Sequence, residues 1–134
     1  MYERALAGRE KAFGPNHPST LNTVGNFGIL FEIQGRFADA ERMYERSLAG
    51  MEVVLGPDHP STLDTVYNLG RLYVVQGRLS DAEGMFERAL TGYKKAFGRD
   101  HTSTLDTVRE LGFVYRSQWR LSDAENLMRD YRLS

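Results

Sequence analysis

The 134 residues carry 41% hydrophobic and 26% charged side chains, a net charge of −1 and no cysteine. That composition suits one globular unit with a sizeable core. It excludes disulfides and thiolate chemistry, and gives the chain as a whole no excess charge to steer it toward nucleic acid or anionic lipid. No apolar run approaches the ~20 residues that span a bilayer, and Met1 is followed at once by Tyr-Glu-Arg, so the sequence reads without a secretory leader and as cytoplasmic.

In chain order, residues 1–13 read as a lone amphipathic helix that ends at Gly14. The next stretch, Gly-Pro-Asn-His-Pro-Ser-Thr-Leu-Asn-Thr-Val from Gly14, returns as Gly-Pro-Asp-His-Pro-Ser-Thr-Leu-Asp-Thr-Val from Gly56. It returns again as Gly-Arg-Asp-His-Thr-Ser-Thr-Leu-Asp-Thr-Val from Gly98. The period is 42 residues, and roughly 26 of 42 positions match between the first two units. The chain therefore divides into the lone helix, a repeat over 18–55, a second over 60–97 and a third over 102–134.

Each repeat holds two helices. In the middle one, Leu63, Val66, Leu69, Gly70 and Tyr73 recur at three- and four-residue steps and predict a helix over Ser61–Gln76. Gly77 can take the left-handed conformation that closes it. Leu79, Ala82, Phe86, Ala89, Leu90 and Tyr93 mark the inner face of a second helix over Leu79–Phe97, stopped by Gly98. The Gly-Pro-Asp-His-Pro-Ser-Thr stretch is then punctuation: a glycine releases one helix, prolines stiffen the link, and Asp58, His59, Ser61 and Thr62 offer caps or turn bonds. Gly28, Gly70 and Gly112 sit inside first helices, where glycine costs up to ~1 kcal/mol against alanine. Close helix approach would explain them, with the small residues Ala40, Ala82 and Ala124 facing them.

Chemistry has little to work with. His17, His59 and His101 hold the same place in successive repeats. Equivalent residues of stacked repeats stand about 8–10 Å apart, whereas a metal needs ligands within ~2 Å. The carboxylates Asp39, Asp81 and Asp123 are likewise one per repeat, and no nucleophile constellation or phosphate loop is present. The expectation is a non-enzyme with no metal and no cofactor.

Val66, Leu69-Gly70, Tyr73, Gly77, Ala82, Phe86 and Ala89, matched in the first repeat by Val24, Phe27-Gly28, Phe31, Gly35, Ala40, Tyr44 and Ser47, resemble the tetratricopeptide repeat. That repeat usually has ~34 residues; the 42-residue period and the His-Pro-Ser-Thr link are similar to those of kinesin light chains and nephrocystin-like proteins. They look most like the arrays at the carboxyl end of fungal NOD-like (NACHT or NB-ARC) receptors. The resemblance implies an all-α solenoid, a superhelix of antiparallel helix pairs with about seven helices. It implies a protein or peptide ligand in a concave groove lined by the first helices. Carried over by position, the lining is Asn22, Gly25, Asn26, Ile29, Glu32 and Ile33 in the first repeat, and Asp64, Tyr67, Asn68, Arg71, Val74 and Val75 in the second. The third supplies Asp106, Arg109, Glu110, Phe113, Arg116 and Ser117. Peptide-binding members often hold the ligand backbone with an asparagine at the Asn26 and Asn68 position; Glu110 breaks that ladder, and the lysine-plus-asparagine clamp for a carboxyl terminus is not matched.

These positions vary between repeats while their neighbours stay constant, as a recognition surface would, or as solvated faces free to drift would. Arg71, Arg109 and Arg116 suit an acidic or phosphorylated ligand, unless Asp64 and Asp106 already satisfy them. No nucleic-acid or membrane partner is expected. Trp119 replaces Gly35 and Gly77, so that turn should be reshaped; with Tyr131 in the place of Ala5, Ser47 and Ala89 it suggests degeneration or a terminal cap. The unpaired first helix reads as part of a longer array, or as a route to self-association.

Overall fold

The computed structural model describes residues 2–133, the side chain of Tyr2 excepted. Met1 and Ser134, which fall in the first and last segments of the sequence division, lie outside the described residues. Among those described there are seven helices and no strand: α1 (Tyr2–Phe13), α2 (Pro18–Ile33), α3 (Phe37–Val54), α4 (Pro60–Val75), α5 (Leu79–Phe97), α6 (Thr102–Ser117) and α7 (Leu121–Asp130). The all-α helical-repeat class is as expected. The chain forms two compact units, 1–65 and 66–134, with the boundary inside α4.

Two kinds of turn alternate, and the sequence dictates both. The long links carry the histidines. His17, His59 and His101 each accept, through Nδ1, the backbone N–H two residues on, at 3.0, 3.0 and 3.1 Å. This satisfies an orphan donor of the first helical turn. Thr20, Thr62 and Thr104, all fully buried, donate their hydroxyls back to the carbonyls of Gly14, Gly56 and Gly98 at 2.7–2.8 Å. Gly98 sits at φ 92°, ψ 170°, a region open to glycine alone. The histidines are thus helix caps.

The short turns close on arginine. Arg36, Arg78 and Arg120 lie over the rings of Phe31, Tyr73 and Tyr115 at 4.2–4.3 Å. Each donates through Nε to the aspartate three residues on, Asp39, Asp81 or Asp123, at 2.9–3.0 Å. The once-per-repeat carboxylates thereby take a structural role at the second helix's first turn.

Trp119 corrects an expectation. It stands at φ 61°, beside 76° for Gly35 and 74° for Gly77. Its N–H donates to the Arg116 carbonyl at 3.0 Å and that of Arg120 to the Tyr115 carbonyl at 2.8 Å, the same pattern as in the two glycine turns. The turn is kept, and the tryptophan accepts a strained backbone of about 1–2 kcal/mol.

In the first unit α2 lies against α1 and α3, with Leu21, Val24, Phe31, Ala40, Tyr44 and Met51 buried. Ser47 is also buried and donates to the Leu21 carbonyl at 2.9 Å. In the second unit Val66, Leu69, Leu72, Ala82, Phe86, Ala89, Val108, Leu111 and Val114 form the core, closed by Ala124 and Met128 of α7. The glycine expectation is half right. Gly28 and Gly70 do mark close approach, but the nearest atoms belong to the rings of Tyr44 and Phe86, at 2.7 and 2.8 Å from a Cβ built there, and not to Ala40 or Ala82. Alanine and aromatic lie four residues apart on one helix face; the helical side chain leans toward its own N-terminus, so the larger group covers the glycine.

Candidate protein-interaction face

The first-unit candidates lie on α2. Asn22, Asn26, Ile29 and Ile33 are exposed, Ile33 to 77%. Gly25 backs onto Ser47, whose Oγ is 3.4 Å from a built Cβ. Glu32 is already engaged: half-buried, it accepts the Tyr44 hydroxyl at 3.0 Å, so it fixes α3 on α2. Asp64 is exposed in the first half of α4.

The second unit gathers the rest on two helices. On α4, Tyr67 and Asn68 are half-buried, Arg71 and Val75 exposed, and Val74 between. On α6, Arg109, Phe113 and Arg116 follow one another at four- and three-residue steps along one stripe. Phe113 is 51% exposed between its two arginines. Arg109 makes a loose ion pair with Asp106 at 3.5 Å; Arg116 has no ion pair among the described residues. Of the three arginines weighed as anion partners, Arg109 is the one an aspartate engages.

Tyr67, Arg71, Asp106 and Glu110 share one electrostatic neighbourhood. Burial pushes the Glu110 carboxyl above the ordinary glutamate value, with Arg71 pulling it down and Asp106 pushing it up. Burial likewise raises the Tyr67 phenol, reinforced by Glu110 and Asp106 and opposed by Arg71. Neither Glu110 nor the Tyr67 hydroxyl has a hydrogen bond among the described residues. The Tyr67 ring is held edge-on against Phe86, with centroids 5.6 Å apart.

A second polar cluster escaped the sequence reading. Arg120, besides its aspartate, donates to Glu83 of α5 at 2.6 Å and to the Gln118 amide oxygen at 3.1 Å. Burial would raise Glu83, but hydrogen bonds from Arg120, Glu87 and Gln118 hold it below the ordinary value. Glu87, bonded to Glu83 and partly desolvated, is raised. The signal was present as the recurring Gln-Gly-Arg-x-x-Asp run, Gln34–Asp39 and Gln76–Asp81, with Trp119 interrupting the third copy.

Among the described residues no three histidine, cysteine or carboxylate groups come together to hold a metal, and no helix is long and apolar enough to cross a membrane.

The fold is that of known helical-repeat structures. A Podosopora anserina protein described as a kinesin light chain, with nearly identical TPR-like repeats, superposes at a TM-score of 0.88 and 24% identity, over 97% of this chain and 62% of that one. BtubC (BKLC) from P. vanneervenii gives 0.89 and 23%, over 98% and 52%. The chain thus spans about half to three fifths of the length of these structures. No curated protein matches it by sequence. The tetratricopeptide repeat family model matches residues 1–52 and 34–95. With that match over most of its length, and with the helix pairs and turns described above, the chain belongs to the tetratricopeptide repeat family.

Proposed function

We propose that the chain is a protein- or peptide-binding module without catalysis, working through the exposed faces of its first helices, α2, α4 and α6. One observation carries this reading. At equivalent positions the buried residue is constant, Val24, Val66 and Val108, while the residues beside it change: half-buried Gly25 and Tyr67 against exposed Arg109, and exposed Ile29, Arg71 and Phe113. A fixed frame presenting different chemistry at each step is what sequence-selective recognition uses. In the second unit the Arg109–Phe113–Arg116 stripe suits a segment with an apolar side chain between acidic or phosphorylated ones.

Retention of a random octapeptide library by the immobilised chain tests this. Binding that falls in Phe113→Ser, with the thermal melt unchanged, supports the reading; binding indifferent to Phe113 contradicts it.

The setting is a proposal of the same kind. The 42-residue repeats with a His-Pro-Ser-Thr link support the sensing array of a cytoplasmic, NOD-like receptor, whose repeats are 18–55, 60–97 and 102–134. The likeness in fold to a protein described as a kinesin light chain supports an adaptor instead. Sequencing the parent transcript separates them: a nucleotide-binding phosphate loop ahead of further repeats marks the receptor, heptads without one the adaptor.

A further inference from the structure

We infer that the chain stacks on itself head to tail: the α6–α7 end of one copy covers the bare side of α2 in the next. The second unit shows what such a junction needs, because it holds a complete one, where α6 packs on α5. Thr107, Leu111 and Val114 follow one another at four- and three-residue steps along α6, and all three are buried. Arg120, stacked over the Tyr115 ring, reaches across to Glu83 of α5 at 2.6 Å. A junction is thus an apolar stripe with an arginine–glutamate latch beside it.

Each end of the chain carries half of one. On α2 the same register positions are Thr23, Phe27 and Leu30. Thr23 and Phe27 are only half-buried, and Leu30 is 42% exposed against 0% for Val114. Arg36 keeps its aspartate and its stacked ring, but α1 starts in the register of Phe86, beyond the Glu83 position. Its side chain is accordingly 55% exposed where that of Arg120 is 38%. At the other end Glu125 holds the register of Glu83 on α7, exposed and without an ion pair among the described residues. Leu121 is exposed although its counterpart Leu79 is half-buried, and Tyr115 is half-buried although its counterpart Tyr73 is buried. One end therefore offers apolar surface with a cation, the other apolar surface with an anion. They complement each other and neither complements itself, which selects a head-to-tail contact over a symmetric one.

The seat is open to the incoming helix. Residues 127–130 of α7 share the register of 1–4, so the last turn of α7 takes the place of the first turn of α1. Glu3 and Arg4 are exposed, and Leu6 is the first described side chain of α1 to be buried, so that turn holds little. Past α7 the chain leaves the helix axis at Arg132, φ 57°, with the Leu133 N–H bonded to the Met128 carbonyl at 2.8 Å. The two helices can then meet end to end.

Sedimentation equilibrium over a concentration series tests this on the intact chain and on Leu30→Glu and Glu125→Arg. Both positions are exposed, and circular dichroism confirms folding. The mass of the intact chain should rise with concentration past that of a dimer, since a head-to-tail contact does not close on two copies. Each variant alone should associate at least about tenfold more weakly, through like charge in the latch or a charge in the stripe. Mixed in equal amounts, the two variants should give a dimer and nothing larger, because Leu30→Glu keeps a sound carboxyl end and Glu125→Arg a sound amino end. An intact chain that stays monomeric at every concentration overturns the inference. So does a closed dimer indifferent to Glu125→Arg, the mark of α2 against α2, and so does a mixture of the two variants that stays monomeric.

Discussion

Phe86 closes directly on the bare backbone of Gly70: a Cβ added there would stand 2.8 Å from the ring's Cε1. Phe86 is fully buried, worth about 1.5–3 kcal/mol of transfer free energy, and its ring cannot yield without opening the α4–α5 seam. Gly70→Ala should therefore destabilise by about 1–2 kcal/mol despite alanine's better helix propensity, because overpacking outweighs it. Gly70→Leu should lose cooperative unfolding. Gly112 is the control. Its built Cβ meets the flexible Met128 Sδ at 3.2 Å, so Gly112→Ala should be neutral or up to ~1 kcal/mol stabilising. Urea unfolding of the two alanine variants checks this; equal effects would refute the packing account.

The histidine links give a second prediction. His59 caps α4 through Nδ1, so His59→Ala should lose about 1 kcal/mol, whereas His59→Asn should retain most of it. Thr62→Val should cost about 1–2 kcal/mol, since it leaves the Gly56 carbonyl without the hydroxyl that donates to it at 2.8 Å. Denaturant midpoints of the three variants order these effects.

Trp119 predicts a stabilising change. It is 84% exposed at φ 61°, so it carries left-handed strain with few contacts in return. Trp119→Gly should raise stability by about 1 kcal/mol, with helix content unchanged. A drop in melting temperature would mean that the indole holds the turn.

Glu83 and Glu87 predict opposite pH signatures. The depressed Glu83 contributes stability above the ordinary glutamate value and loses it as pH falls through its lower folded value. The raised Glu87 contributes stability below the ordinary value, lost as pH rises through its higher folded value. Relative to the unsubstituted chain, Glu83→Gln should therefore melt lower at pH 7 and Glu87→Gln higher. Both differences should shrink toward pH 4. Melting curves at pH 7 and pH 4 check the signs, and differences that do not change with pH would contradict them.

Much of this architecture is legible in the residues. The α5 bounds follow from where Leu79 begins the apolar period and Gly98 ends it, and α4 shifts by one residue because Pro60 serves as its first position. What spacing could not supply is side-chain direction. Ala82 and Phe86 share a face, so periodicity alone did not say which meets Gly70. Nor could it place the Tyr44 hydroxyl on Glu32, which turns one candidate ligand contact into a strut between helices. The Trp119 turn departs from the sequence expectation for a related reason: it is held by backbone bonds and by Arg120, so a poor residue does not undo it. The interaction face was legible only as positions. Its chemistry, a half-buried Glu110 with no hydrogen bond to a described side chain and an Arg116 without an ion pair, needed the side chains in place.

In the proposed function, recognition belongs to the first-helix faces while stability belongs to the seams behind them. The most direct measurement of that division pairs two readouts, thermal melting and octapeptide retention, on Arg109→Glu with Arg116→Glu. The Asp106–Arg109 pair is exposed and spans one helical turn, so its loss should move the melting temperature by no more than a degree or two. That near-unchanged melt should come together with loss of the acidic peptides. A melt lowered as far as in Gly70→Leu, or unaltered retention of acidic peptides, would contradict that division.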